Sequence, residues 1–288
     1  MEVRSTKNLA FFIVVLSCVA LFFNTRTKEE MIAGFKKTDL QEVLKITNVA
    51  WDGKDVKKLV ELTQKAWLRP AGKERWEAEP IFQDKWQQLE PVFKRMGLVD
   101  VCAPTSQSYE HILFMGATVF RMDLRMASLA KLLQHGLKYT DIVFLSGARA
   151  LTEEETQFLK EKKWSVIPTT EAGVYPQMFV DYSIALKDIV FIDAPETVKP
   201  DGTKYRPTTA DTVVKWLMKN PKAGTCLVIS SQPFCHYQKV VTETLLPKTF
   251  TVDVAGDKAP ESTTVAVYLD TLARTIYQWS TTQNPITQ

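Results

Sequence analysis

The stretch TCLVISSQPFCHYQK, residues 225–239, decides how this chain folds. Cys226-Leu227-Val228-Ile229 is a continuous apolar run, β-branched at two of its four positions. That is the pattern of a strand buried on both faces of a parallel sheet. It opens into a polar turn, Ser230-Ser231-Gln232-Pro233, and then into a segment holding Cys235, His236, Tyr237 and Gln238. In open α/β sheets, ligands sit in the loops at the carboxyl ends of the strands. The function is therefore expected where this strand ends.

The same grammar recurs through residues 109–288. Runs at His111–Met115, Asp141–Leu145, Ser165–Pro168, Ile189–Asp193, Cys226–Ser230 and Thr251–Val254 predict strands. Amphipathic segments at 119–135, 152–162, 173–186, 208–219, 234–246 and 262–279 predict helices. Such alternation predicts a mostly parallel sheet covered on both faces. Thr152-x-x-Glu155 is a capping box, and Thr208 with Asp211 sets an N-cap beside an acidic first turn.

Each strand but the last ends in small or hydroxylic residues: Gly116-Ala117-Thr118, Ser146-Gly147-Ala148-Arg149, Thr169-Thr170-Glu171, Asp193-Ala194 and Ser230-Ser231. Small residues let a ligand approach the backbone, and free amides at helix starts attract anions, so these turns predict a cleft. Neither G-x-G-x-x-G nor G-x-x-x-x-G-K-[ST] occurs, which argues against ordinary dinucleotide and P-loop sites. Arg121 and Arg125 share one helix face just after the first strand, either as contacts for an anionic ligand or as a solvated, salt-bridged pair.

Composition bounds the rest. With 288 residues, 45% hydrophobic and 24% charged, the chain can build a large core without covalent staples. Lys and Arg exceed Asp and Glu by only 36 to 33 and form no basic stripe, against nucleic-acid binding. The 4 cysteines and 3 histidines lack the close spacing of a metal centre or a disulfide framework.

Ahead of the α/β region, residues 1–26 hold the apolar run Leu9–Phe23 inside the uncharged stretch Asn8–Thr25, with Arg4 and Lys7 before it. This predicts a signal anchor near the minimum length for a membrane-spanning helix, with a cleaved signal peptide or a buried helix as alternatives. Residues 27–108 predict a helical region. Thr38-x-x-Gln41 reads as a capping box, and Leu59, Trp67, Leu89 and Phe93 fall on apolar stripes suited to packing on a neighbour.

The succession of turns resembles the YdcF/SanA-like (ElyC-like) family, largely of unknown function, over about residues 110–280. The residues that carry the likeness are Met115-Gly116-Ala117 with Arg125, Ser146-Gly147-Ala148, Thr170-Glu171-Ala172, Ile192-Asp193-Ala194, Thr209-Ala210-Asp211-Thr212 and Ile229-Ser230-Ser231 with His236 or Gln238. The chain departs from the family pattern at Ala148, where a second glycine is usual, and at Asp193, where glutamate is usual. The resemblance implies a Rossmann-like three-layer sandwich behind an N-terminal anchor, facing the extracytoplasmic side of a bacterial inner membrane. It also implies S-adenosylmethionine as a cofactor, and no catalytic mechanism.

The leading functional reading is a membrane-anchored protein whose cleft binds an anionic or nucleotide-like small molecule, as a binding protein or an envelope-associated enzyme. Its candidate ligand-binding residues are Gly116, Arg125, Ser146, Gly147, Glu171, Asp193, Asp211, Ser231 and His236. The alternative is a non-catalytic envelope interaction protein that works through its helical region. A hydrolase built on Cys235, His236 or Ser231 is disfavoured, because sequence neighbours point apart and no G-x-S-x-G elbow is present.

Overall fold

A computed structural model describes residues 29–70, 79–185, 188–198, 204–205 and 207–283. The expected anchor at Leu9–Phe23 lies outside the described residues, among which no helix is long and apolar enough to cross a membrane.

The chain begins with a short antiparallel hairpin, β1 (Met31–Ile32) and β2 (Phe35–Lys36), followed by helices α1 (Lys37–Ile46), α2 (Val56–Trp67) and α3 (Trp86–Arg95). The α/β region comprises β3 (Ser108–Met115), α4 (Val119–Gln134), β4 (Lys138–Gly147), α5 (Glu153–Glu161), α6 (Tyr175–Asp181) and β5 (Ile189–Ala194). After a small hairpin, β6 (Thr197–Val198) and β7 (Lys204–Tyr205), come α7 (Thr209–Leu217), β8 (Thr225–Ser231), α8 (Cys235–Leu245), β9 (Thr251–Asp257) and α9 (Val265–Gln283).

Five strands form one fully parallel sheet in the order β5-β4-β3-β8-β9. The near-continuous apolar runs follow from burial on both faces. Ile112 and Phe114 of β3 pack with Met122, Met126, Phe179 and their neighbours. The alternate residues Leu113 and Met115 pack with Val213 and Trp216 on the other face. The parallel sheet covered on both faces that the strand-helix alternation predicts is thus present, and it is consistent with an α/β Rossmann-like sandwich.

A third core joins the helical region to the end of the chain. Leu59, Trp67, Leu89 and Phe93, all buried, share it with Tyr268, Leu269 and Leu272 of α9. The Phe93 and Tyr268 rings stack with centroids 4.8 Å apart.

Two local expectations differ from the structure. Ser165–Pro168 forms no strand: the edge position beside β4 is taken by β5, Val166 is 77% exposed, and only a single bridge, Ala150 to Thr170, lies in that loop. Thr38 makes no capping box, because α1 starts at Lys37, directly off the β2 strand, with Lys36 as its uncapped N-cap. The boxes at Thr152–Glu155 and Thr208–Asp211 are both formed.

Candidate functional site

From β3 the chain moves outward through β4 to β5, then returns across β3 to β8 and β9. The strand order reverses between β3 and β8, and the carboxyl ends of two such strands diverge into a crevice. A cavity of about 520 Å³ lies there. Gly116, Ala117 and Thr118 line it after β3, Gly147 and Arg149 after β4, and Phe234, Tyr237 and Gln238 after β8. Thr208 and Thr212 come from the start of α7, and Thr263 and Thr264 precede α9.

Arginine dominates the charged part of the lining, through Arg69, Arg121, Arg125, Arg149 and Arg274 against Glu171. Three of them have carboxylate partners. Arg69 and Arg274 both pair with Asp270, at 2.7 and 3.0 Å. Arg149 donates to Glu155 at 2.6 and 2.7 Å and to Glu171 at 3.1 Å. Against the downward pull of burial, these two carboxylates hold the Arg149 guanidinium above its ordinary pKa.

Arg125 and Arg121 stand differently. Arg125 is 2% exposed and is held by neutral groups, its Nη1 donating to Met115 O at 2.7 Å and Gly116 O at 3.1 Å. Arg121 lies one helical turn earlier, its guanidinium 4.8 Å from the Phe234 ring centroid. Its buried Nη1 has no hydrogen-bond partner among the described residues. Burial pushes both arginines down, Arg125 to about 10 with the like charge of Arg121 as the second cause. The buried hydroxyl of Thr263, also on the cavity wall, is likewise unpartnered among the described residues.

Glycine is required where the walls meet. A Cβ on Gly116 would stand 2.1 Å from Glu171 Oε1 and 2.8 Å from Leu145 O. Glu171 is thereby pressed against the turn after β3, while Arg149 holds its other oxygen at 3.1 Å.

Of the expected site residues, Gly116, Arg125, Gly147 and Glu171 line the cavity. Ser231 reaches it only through Arg125, its Oγ 3.4 Å from Nε. Ser146 is buried and donates to Ile192 O at 3.1 Å, tying β4 to β5. Asp193 is exposed on the edge strand. Asp211 is consumed by the α7 capping box, accepting from Thr208 N at 2.7 Å.

His236 does not belong with these residues. It faces the β1–β2 hairpin, with Nε2 2.5 Å from Ala33 O and its ring 4.4 Å from that of Phe35. It lines a separate cavity of about 400 Å³ with Gly34 and Trp279. The cause is helical geometry: α8 turns about 100° per residue, so Tyr237 and Gln238 face the first cavity while His236 points away. Cys235, Ser231 and His236 therefore form no nucleophile and base pair.

At two helix starts beside the cavity a side chain already takes the first amide. Glu155 Oε1 accepts from Val119 N at 2.8 Å, and Gln83 Oε1 accepts from Val265 N at 3.0 Å. Among the described residues no cluster of His, Cys, Asp and Glu is placed to hold a metal ion. No protein-family model, curated protein or solved structure matches the chain.

The sequence places Arg121, Arg149 and Tyr237 near strand ends without marking the last two as site residues, and it gives no sign of Thr263. Arg149 had a signal, since it closes the turn after a predicted strand. Arg69 and Arg274 had none, because only the packing of α2 on α9 brings them to the rim.

Proposed function

We propose that the cavity binds a small phosphorylated, hydroxyl-bearing molecule, such as a nucleotide or a sugar phosphate, with Arg121 as the main anion contact. The observation that supports this reading is the Arg121 guanidinium, whose buried Nη1 is unpartnered at the switch point of a parallel sheet. A buried cation is costly unless paired, and a ligand phosphate supplies the missing charge and acceptors. The planar fork of arginine suits a phosphate group. Thr118, Thr208, Thr212 and Thr263 give the wall hydroxyl groups that match a sugar, and Glu171 is a further acceptor.

S-adenosylmethionine is a poor match for this lining. Its one carboxylate comes with a sulfonium and an ammonium group, so it would bring net positive charge into a lining that already holds five arginines. The YdcF/SanA-like resemblance enters this reading through Gly116, Arg125, Gly147 and Glu171 alone, and an anchor at Leu9–Phe23 would hold the cavity near a membrane surface. The interaction-protein alternative draws no support from the helical region, whose Leu59, Trp67 and Phe93 are buried against α9.

Thermal unfolding of the full chain tests the proposal, with inorganic phosphate, nucleotides, sugar phosphates and S-adenosylmethionine each added in turn. A ligand that binds only the native state raises the midpoint by mass action. Phosphate-bearing compounds should raise it in the wild type and leave Arg121→Met unchanged, and S-adenosylmethionine should have no effect. Equal shifts in wild type and variant would remove Arg121 from the site.

A further inference from the structure

Away from the cavity, two cysteines converge on one glycine. Cys102 precedes β3 and forms an antiparallel bridge with Gly256 of β9, each main-chain N–H donating to the other's carbonyl at 2.9 Å. Residues paired this way carry their Cβ positions on the same face, about 5.5 Å apart at Cα. Gly256 has no side chain, and Cys235 Sγ lies 2.6 Å from the place its Cβ would occupy. The Cys235 sulfur therefore fills the space beside the Cys102 side chain. Cys102 Sγ lies 3.3 Å from Val254 O, along the same strand. Cys235 is 1% exposed and Cys102 is half-buried, so Cys102 is the more accessible residue of the two.

We propose that Cys102 and Cys235 are a thiol pair that closes to a disulfide by exchange with a low-molecular-weight disulfide. The Cys102 thiolate attacks one sulfur of the reagent, forming a mixed disulfide and expelling one thiolate. Cys235 gives its proton to that thiolate, and its own sulfur then attacks the Cys102 sulfur and expels the second thiolate, which takes up the proton that Cys102 released to solvent. Two electrons pass from the protein thiols to the reagent, which leaves as two thiols. The hydrogen bond from Cys235 holds the Cys102 thiol below its ordinary pKa, which makes Cys102 the attacking group. That same bond, together with burial, holds Cys235 well above its own. Cys226, fully buried within the sheet and pushed up to about 12 by burial, takes no part. The cross-link ties the segment before β3 to the start of α8, whose Tyr237 and Gln238 form one wall of the cavity.

The test is to incubate the folded full chain with oxidised glutathione, block remaining thiols with iodoacetamide, and map the unreduced peptides by mass spectrometry. The expected result is loss of two of the 4 cysteine thiols and one cross-linked peptide pair joining Cys102 to Cys235, reversed by dithiothreitol. In Cys235→Ser the reaction should stop at glutathione bound to Cys102. The wild-type map decides the matter even if that variant fails to fold. Glutathione retained on Cys102 in the wild type, a cross-link to Cys226 or Cys18, or no loss of thiols would overturn the proposal.

Discussion

Replacing Arg121 by methionine should stabilise the ligand-free protein while removing its response to anions. The reasoning starts from the unpartnered, buried Nη1. A buried donor without a partner costs about 1–3 kcal/mol, and the nearby charge of Arg125 adds to that cost. Methionine keeps much of the length and packing of arginine while removing its charge. The substitution forfeits the contact with the Phe234 ring at 4.8 Å. Such a contact is worth about 0.5–2 kcal/mol. The balance favours the variant by about 1 kcal/mol, which for a chain of this size raises the midpoint by roughly 2–4 °C. A phosphate ligand at a hundredfold excess over its Kd stabilises the wild type by about 2.7 kcal/mol, and this increment should vanish in the variant. Differential scanning calorimetry with and without ligand measures both quantities. A variant less stable than wild type by about 1 kcal/mol or more, with its ligand response intact, would show that Arg121 is structural and sink the reasoning.

Glu155 is 1% exposed and accepts from Arg149, Thr152 N and Val119 N. Glu155→Ala should therefore cost about 3–5 kcal/mol by urea denaturation, as expected for a broken buried pair. Removing the exposed Lys58–Glu61 pair should cost no more than about 0.5 kcal/mol in the same assay. Gly116→Ala drives a methyl into Glu171 Oε1 and should lower stability by about 1–3 kcal/mol and weaken phosphate binding; an unperturbed variant would contradict the packing. His111 meets two acceptors, Asp141 Oδ1 at 2.8 Å and Lys222 O at 2.7 Å, an arrangement that suits the imidazolium. Burial pulls its pKa down, but these partners and the charge of Glu110 outweigh it, and the net direction is up. A raised folded pKa means this stabilisation is complete below the unfolded value of about 6.5 and is lost as pH rises through the folded value. His111→Gln should flatten that limb of the stability–pH curve, and an unchanged limb would assign it to another group.

The fold was legible because its signals are local. Apolar runs such as Cys226–Ile229 need both faces covered, and the Thr152 and Thr208 boxes mark helix starts through atoms three residues apart. Ser165–Pro168 misled because a short apolar run looks the same whether or not a neighbour pairs with it. The place beside β4 went instead to Ile189–Ala194.

The site was half legible for a related reason. A turn at a strand end can be read from its own residues, which is how Gly116, Gly147 and Glu171 were found. Whether a charged side chain in such a turn is available to a ligand depends on partners far away in sequence. Asp211 faces its own helix cap, Glu155 occupies the first amide of α4, and Asp270 brings Arg69 and Arg274 together. With Glu155 and Glu171 on Arg149 and Asp270 on the rim pair, those three arginines have carboxylate partners, whereas Arg121 has an unpartnered nitrogen in the wall among the described residues. Charge availability, more than residue type, is therefore what singles out Arg121 from the other arginines, and it is a property of the folded chain alone.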